Sequence, residues 1–226
     1  MNISEQHDPC DEPEAAPAPT ALAGRREGLA AGPTPATART APGREAAQGA
    51  GAGAEAAPQE IRLRGHRPGD IGWVASRHGA LYAAEFGWDE RFEALVARIA
   101  ADFIDRFDAA REACWIAERE GRPLGCVFLV QARDEASGAP EPGVAQLRML
   151  LVEPAARGLG LGKQLVAECE RFARERGYRR IRLWTNSVLL AARGIYAASG
   201  YHLVASESHR SFGRDLVGET WELDLT

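Results

Sequence analysis

A chain of 226 residues with a formal net charge of −5 has room for one domain and a tail, or for two small domains. That acidic balance excludes the basic surface of a nucleic-acid binder, so no nucleic-acid partner is expected. No apolar run approaches the roughly 18 residues of a membrane span. The acidic, proline-containing start also lacks the basic and apolar regions of a secretory signal, so a cytoplasmic protein without membrane contact is expected.

The first 58 residues hold 17 Ala, 7 Gly and 8 Pro, but only four large apolar side chains: Met1, Ile3, Leu22 and Leu29. Without aromatics or valines they cannot bury enough surface to offset the entropy lost on ordering. Residues 1–58 therefore read as a disordered Ala/Pro/Gly-rich tail, and 59–226 as one domain. Eight acidic residues against four arginines give the tail most of the negative charge and leave the domain close to neutral. Cys10, Cys114, Cys126 and Cys169 show no CxxC pairing and lie mostly in apolar patterns, which suits buried thiols better than disulfides or metal ligands. No metal is expected.

From Ile61 to Arg64 apolar and polar residues alternate as in a short strand. Arg67-Pro68-Gly69-Asp70 stops it and offers Asp70 as the N-cap of a helix to about Ala84. One stripe of that helix holds Ile71, Val74, His78, Leu81 and Glu85, so a histidine and a carboxylate fall on an otherwise apolar face. Both either sit at its margin or border a pocket. Gly87 ends the helix, and Trp88-Asp89 opens a second one whose apolar stripe of Phe92, Leu95, Val96, Ile99, Phe103 and Phe107 must pack on a sheet. Ala113 to Glu118 and Leu124 to Gln131 form a hairpin about the turn Glu120-Gly121-Arg122-Pro123. Residues 132–143 are polar with two prolines and read as a loop; Val144 to Val152 is the next strand.

That strand breaks at Glu153-Pro154 and passes through Arg157-Gly158-Leu159-Gly160-Leu161-Gly162 into a helix with apolar residues at Leu161, Leu165, Cys169 and Phe172. Glycines at such a turn let backbone amides approach a ligand, and the helix start adds unsatisfied N–H groups and its positive dipole end. The combination suits a phosphate. A P-loop is excluded because Gln164 follows Lys163 where a hydroxyl is required. A dinucleotide fingerprint is excluded because Gly158, Gly160 and Gly162 miss its spacing. What remains is Arg-x-x-Gly-x-Gly. Past Gly177 come a strand Arg180 to Thr185, Asn186-Ser187, a helix Val188 to Ser199 closed by Gly200, and a strand Tyr201 to Ser206. A loop rich in Ser, His and Gly then leads to a last strand, Thr220 to Leu225. This order gives an α/β layer with a largely antiparallel sheet.

The Arg157 to Gly162 motif after Leu-Leu-Val-Glu-Pro, followed by Trp184-Thr185-Asn186, Ala191-Ala192, Ile195-Tyr196 and Gly200-Tyr201, resembles the GNAT acyltransferases in motif and element order. The resemblance covers Ile61 to Thr226. It implies the GNAT fold, a mixed and mostly antiparallel sheet flanked by helices, with acetyl-CoA as co-substrate. It further implies that Leu150, Leu151 and Val152 contact the pantetheine arm and carbonyl through their backbone. Arg157, Gly158, Leu159, Gly160, Leu161, Gly162 and Lys163 would hold the pyrophosphate, Asn186 the arm, and Tyr196 would give a proton to the sulfur. Read alone, Tyr196 shares a stripe with Leu189 and Ala192 as a core tyrosine does, and Asn186-Ser187 equally suits a helix cap. Asp70 to Trp88 and the ending from His209 to Glu222 are similar to the acetyltransferase half of bacterial MarR-GNAT fusion proteins. Here the Ala/Pro/Gly stretch stands in place of the winged helix, which speaks against a role on DNA.

Many members of the family carry a glutamate where this chain has Gln146, and an amide cannot accept a proton at neutral pH. Glu85 or His78 is expected to substitute, with Glu118 a further candidate, unless the amine arrives neutral. His78, Gln146 and His209 are expected on the acceptor side, where Arg210 and Arg214 would suit a substrate carboxylate. The expectation is direct acetyl transfer to the primary amine of a small-molecule or amino-acid-like acceptor. The missing strand carboxylate keeps open a non-catalytic acyl-CoA-binding or regulatory module. A homodimer is compatible with either.

Overall fold

Residues 60–134 and 136–225 are described by a computed structural model; the tail expected over residues 1–58, with Cys10, lies outside them. The elements are β1 (Arg62–Gly65), α1 (Asp70–Phe86), α2 (Glu90–Arg106), β2 (Ala113–Arg119), β3 (Arg122–Arg133), β4 (Pro140–Val152), α3 (Leu161–Glu175), β5 (Arg180–Asn186), α4 (Leu190–Ala198), β6 (His202–Ser211) and β7 (Arg214–Asp224). Seven strands make one sheet in the order β1-β2-β3-β4-β5-β7-β6. Only β4 and β5 pair in parallel; every other neighbour is antiparallel. The order and the mixed sheet are those expected from the sequence.

Each face of the sheet is covered by the helices whose stripes the sequence shows. Leu161, Leu165 and Cys169 of α3 and Tyr196 of α4 pack with Leu129, Leu147 and Leu183 on one face. Val74 of α1 and Val96 and Phe103 of α2 pack with Ile116, Cys126 and Phe128 on the other. Each fully buried side chain of this size contributes about 1.5–3 kcal/mol. A third cluster joins Phe212 and Leu216 at the tip of the β6–β7 ribbon to Trp88 at the α1–α2 corner. Cys114, Cys126 and Cys169 are free and buried.

Three local expectations are corrected. Gly69, at φ 97°, is the N-cap of α1, and Asp70 is already helical. Its carboxylate accepts from the Arg67 amide at 2.8 Å and from Arg64 at 2.6 and 3.0 Å, so a cation of β1 takes the acceptor that the helix end would have used. The loop expected over residues 132–143 is shorter, because β3 and β4 pair as far as Arg133 with Pro140 and its two ends are strand. The Ser/His/Gly stretch after Ser206 is likewise a ladder, with His209 opposite Leu216 and Ser211 opposite Arg214. It turns at Phe212-Gly213, whose φ values of 55° and 76° are both left-handed, as a two-residue hairpin turn requires. β6 is exposed along most of its length, so no apolar alternation marks it.

The feature that shapes the domain lies between β4 and β5. They pair only from Val144 with Arg180 to Leu147 with Leu183, and then part. On the other edge of β4 the register slips between Leu151 opposite Cys126 and Arg148 opposite Phe128, with Met149 at φ 56°, which is a β-bulge. The Cys126 thiol donates to the Met149 carbonyl at 3.2 Å and so holds the bulge from behind.

Gly125 faces that bulge, and a Cβ added there would lie 2.7 Å from the Leu151 carbonyl oxygen. Gly125→Ala should therefore destabilise the domain by about 1–3 kcal/mol in urea unfolding. Acid supplies a second test. Burial opposes the charge on Asp70, but hydrogen bonds from Arg64 and the Arg67 amide outweigh it and hold the carboxyl below its ordinary value. A depressed folded value gives stability that is present above the unfolded pKa of about 3.9 and lost as pH falls through the folded one. Asp70→Asn should lower stability at pH 7 and flatten its decline below about pH 4, as read by circular dichroism.

Candidate functional site

Where β4 and β5 separate, a cleft of about 490 Å³ opens. Its walls are Leu150, Leu151 and Val152 after the bulge, the turn from Ala156 to Lys163, the start of α4 at Leu190 to Ala192 with Ile195, and the C-terminal half of α1. The turn is bare on its outer side. Gly158 at φ 80° and Gly160 at φ 76° are left-handed, and a Cβ on either would meet nothing within 4 Å. Gly160 caps α3 with no side-chain hydrogen bond, which leaves the first-turn amides of a 15-residue helix available. With Arg157 and Lys163 beside them, these amides fit a diphosphate. Gly162 has another reason to be glycine: its Cβ would stand 2.6 Å from Ile195 Cδ1, so the missing side chain lets α3 and α4 close on each other.

The cleft takes in Leu150, Leu151, Val152, Arg157, Gly158, Gly160, Leu161, Gly162, Lys163 and Glu85 of the residues expected at the site. Leu159 is 53 % exposed and outside the lining. Arg157 is held by Glu85, Nη2 to Oε1 at 2.6 Å, and reaches the Val152 carbonyl at 3.4 Å. About two turns earlier on α1, Arg77 grips Glu153 with bonds of 2.6 and 2.9 Å. Two ion pairs thus staple α1 to the turn that carries the glycines. Glu85 thus lines the cleft with its carboxylate paired to Arg157 rather than free.

The other expected acid–base groups divide sharply. His78 is 2 % exposed, with Nδ1 at 2.8 Å from the Val74 carbonyl, and burial lowers it to about 4. It is a core histidine outside the cleft, neutral because burial outweighs the Val74 carbonyl, whose hydrogen bond favours the charged ring. Glu118 is bound by Arg62, Arg64 and Arg67, and the Arg64 hydrogen bond holds its carboxyl below the usual range. Gln146 sits in the ladder between Val130 and Arg182, before the strands part and away from the cleft. Tyr196 is 4 % exposed and outside the cleft lining, in the core cluster against which Ala192 and Ile195 of the cleft wall pack, and no described residue hydrogen-bonds its hydroxyl. Burial, with Tyr82 adding to it, pushes its phenol far above the ordinary value, so it stays protonated.

Tyr82 is the residue that the sequence reading misses. It lines the cleft, stacks on His78 with centroids 5.8 Å apart, and burial pushes it up to about 12. Its signal was the step of four from His78 on the same stripe. Asn186 is 2 % exposed and outside the cleft lining; its Oδ1 accepts from His209 Nε2 at 2.9 Å, and His209 Nδ1 lies 3.0 Å from Ser211 Oγ. Two residues expected on opposite substrates are therefore joined to each other.

Residues 78–201 match the family model described as Acetyltransferase (GNAT) family. Rat N-acetyltransferase family 8 member 2 is 29 % identical over 127 residues, covering 54 % of this chain and 55 % of that protein. Mycothiol acetyltransferase of Acidothermus cellulolyticus is 26 % identical over 173 residues, covering 72 % of this chain and 48 % of its own. The chain spans about half the length of these curated relatives. Among solved structures, the Salmonella typhimurium protein yncA, determined with its cofactor acetyl-CoA, shares the fold at a TM-score of 0.60 and 18 % identity, over 74 % of this chain and 94 % of that one.

Because a partly exposed ion pair is worth about 0.2–1 kcal/mol, freeing Arg157 from Glu85 has a modest and measurable effect. Glu85→Gln should tighten binding of ADP, used as a diphosphate probe, by about 2- to 5-fold in isothermal titration at low salt.

Proposed function

We propose that this chain, which belongs to the acetyltransferase (GNAT) family, moves an acetyl group from acetyl-CoA directly to the primary amine of a small-molecule or amino-acid-like acceptor. The observation that carries the reading is the open cleft where β4 leaves β5, with a bare glycine turn at one end and unpartnered strand backbone along its side. In this reading Arg157, Lys163 and the amides from Gly158 to Gly162 hold the diphosphate. Past Leu147 the edge of β4 toward β5 has no ladder, so its amides can polarise the thioester carbonyl and stabilise the oxyanion that forms on attack. Tyr196, protonated at neutral pH, supplies the proton that the departing sulfur takes. Attack by the amine nitrogen forms the C–N bond as the C–S bond breaks.

Transfer without an acyl-enzyme fits the cysteines. Burial pushes the thiols of Cys114, Cys126 and Cys169 up, away from the reactive thiolate, and none lines the cleft. No helix among the described residues is long and apolar enough to cross a membrane, which supports a cytoplasmic setting as part of the same proposal. The counterpart in this reading is the acetyltransferase half of the MarR-GNAT fusion proteins.

A second reading, an acyl-CoA-binding module without turnover, is favoured by one observation: Gln146 replaces a carboxylate while Glu85 and Glu118 are tied to arginines. Thiol release from acetyl-CoA with a panel of amines separates the two. Turnover with at least one amine is expected. Arg157→Ala should raise the acetyl-CoA KM about 10- to 100-fold, the loss of one charge-assisted hydrogen bond. Tyr196→Phe should lower kcat about 100-fold and leave coenzyme affinity unchanged. Binding with no turnover on any amine establishes the module, and no binding at millimolar acetyl-CoA overturns both readings.

A further inference from the structure

Acetyl transfer to an amine that arrives as an ammonium needs a proton acceptor, and the groups that the sequence offers are engaged elsewhere. Glu85 holds Arg157, Glu118 holds three arginines, and His78 is neutral in the core. One other titratable side chain stands at the end of β5. β4 and β5 run parallel and last pair at Leu147 and Leu183; past that pair β4 bulges at Met149 before Leu150, and β5 ends at Asn186. Leu150 lines the cleft, and buried Asn186 takes the Nε2 proton of His209 at 2.9 Å.

That bond fixes the imidazole. With Nε2–H given to the Asn186 carbonyl oxygen, Nδ1 carries the lone pair and accepts from the Ser211 hydroxyl at 3.0 Å. The ring leans on Trp184 with centroids 5.5 Å apart, and that indole is 44 % exposed. Gly218 makes room for it, since a Cβ there would lie 2.7 Å from the indole. The ribbon is anchored at its tip: Phe212 and Leu216 pack on Trp88, and Arg214 Nε donates to the Gly87 carbonyl at 3.2 Å. This tip cluster shares Tyr82, Phe86 and Leu189 with the cleft lining, so the ribbon is a neighbour of the cleft. Of the charged groups at the ribbon end, Arg210 pairs with Asp215 at 2.8 Å and Arg214 donates to Gly87; Glu207 stands two residues before His209 on the same strand, and Trp184, Asn186 and Leu216 around the ring are neutral.

Resting on the acetyltransferase reading, the geometry points to His209 as the proton acceptor for the incoming ammonium, with Ser211 as relay and Asn186 as the positioning residue. The ammonium gives a proton to Ser211 Oγ as Ser211 passes its own to Nδ1. The neutral amine then attacks the thioester carbonyl, the C–N bond forms, the C–S bond breaks, and the sulfur leaves with the electron pair. Tyr196 protonates that sulfur, the surplus proton on the new amide nitrogen restores the Tyr196 hydroxyl, and the imidazolium returns its proton to solvent.

The test is kcat/KM from pH 5.5 to 9.5 with acetyl-CoA and spermidine, L-lysine or phenethylamine as acceptor. His209→Gln should lose roughly 100-fold at pH 7, keep the acetyl-CoA KM, and narrow the deficit as pH rises and the amine deprotonates unaided. Ser211→Ala and Asn186→Ala should fall in the same direction by roughly 10-fold, and Asn186→Asp, which keeps an acceptor for Nε2–H, should restore the rate. A wild-type pH profile in His209→Gln overturns the assignment, and so does loss of acetyl-CoA binding together with activity, which would make His209 a support for the architecture. A wild-type protein that binds acetyl-CoA but acetylates none of these amines nor any of the wider panel instead sinks the enzyme reading, and this assignment with it.

Discussion

The parting of β4 from β5 after Leu147 is the constraint on which the site depends. A sheet cannot leave strand edges unpaired in its middle without something to gain from the exposed amides, since buried N–H and C=O groups need partners. Here the bulge at Met149 turns β4 away, Gly125 on β3 leaves space for it, and the Cys126 thiol occupies the Met149 carbonyl that the slipped register releases. The result is backbone held rigidly open toward a cleft whose far end is another stretch of bare backbone, the glycine turn. Rigid amides aimed at one place are what both a diphosphate and a developing oxyanion require.

Arginine chemistry organises the remainder. With Lys163 the sole lysine in the chain, nearly every positive charge is a planar fork that binds carboxylates in pairs. Arg77 and Arg157 tie α1 to the glycine turn, and Arg64 spans Asp70 and Glu118 to bind the start of α1 to β2. These pairs fix the cleft wall, but they also use up the carboxylates near it. In the proposed mechanism that leaves acid–base work to a neutral group whose state is set by burial, Tyr196, and to the histidine that a buried amide orients.

The β6–β7 ribbon connects these two themes. Its tip packs on the α1–α2 corner through Phe212, and its middle carries His209 to the end of β5. Sheet pairing at one end and aromatic packing at the other make it a fixed wall. Phe212 accepts a left-handed backbone because its ring is buried against Trp88 and Phe92, at centroid distances of 4.9 and 5.1 Å.

Local rules of the chain were enough for the element order, the helical stripes from Val74 to Phe103 and from Leu161 to Phe172, and the glycine turn, because periodicity and φ requirements act within a few residues. Leu150, Leu151 and Val152, which only the family resemblance pointed to, line the cleft together with the glycine turn, while Leu159 stays outside it. The local rules failed where a residue's role is set by something distant in sequence. Asp70 caps no helix because Arg64 takes it; Glu85 is no free base because Arg157, 72 residues away, takes it; Asn186 turns from the cleft because His209, 23 residues on, takes it. The polar ribbon looked like a loop because an exposed ladder has no apolar pattern to betray it. The sequence by itself therefore determined the scaffold and the backbone cradle. Only the tertiary structure decided which charged and polar side chains are free to act, because pairing across the fold consumes them.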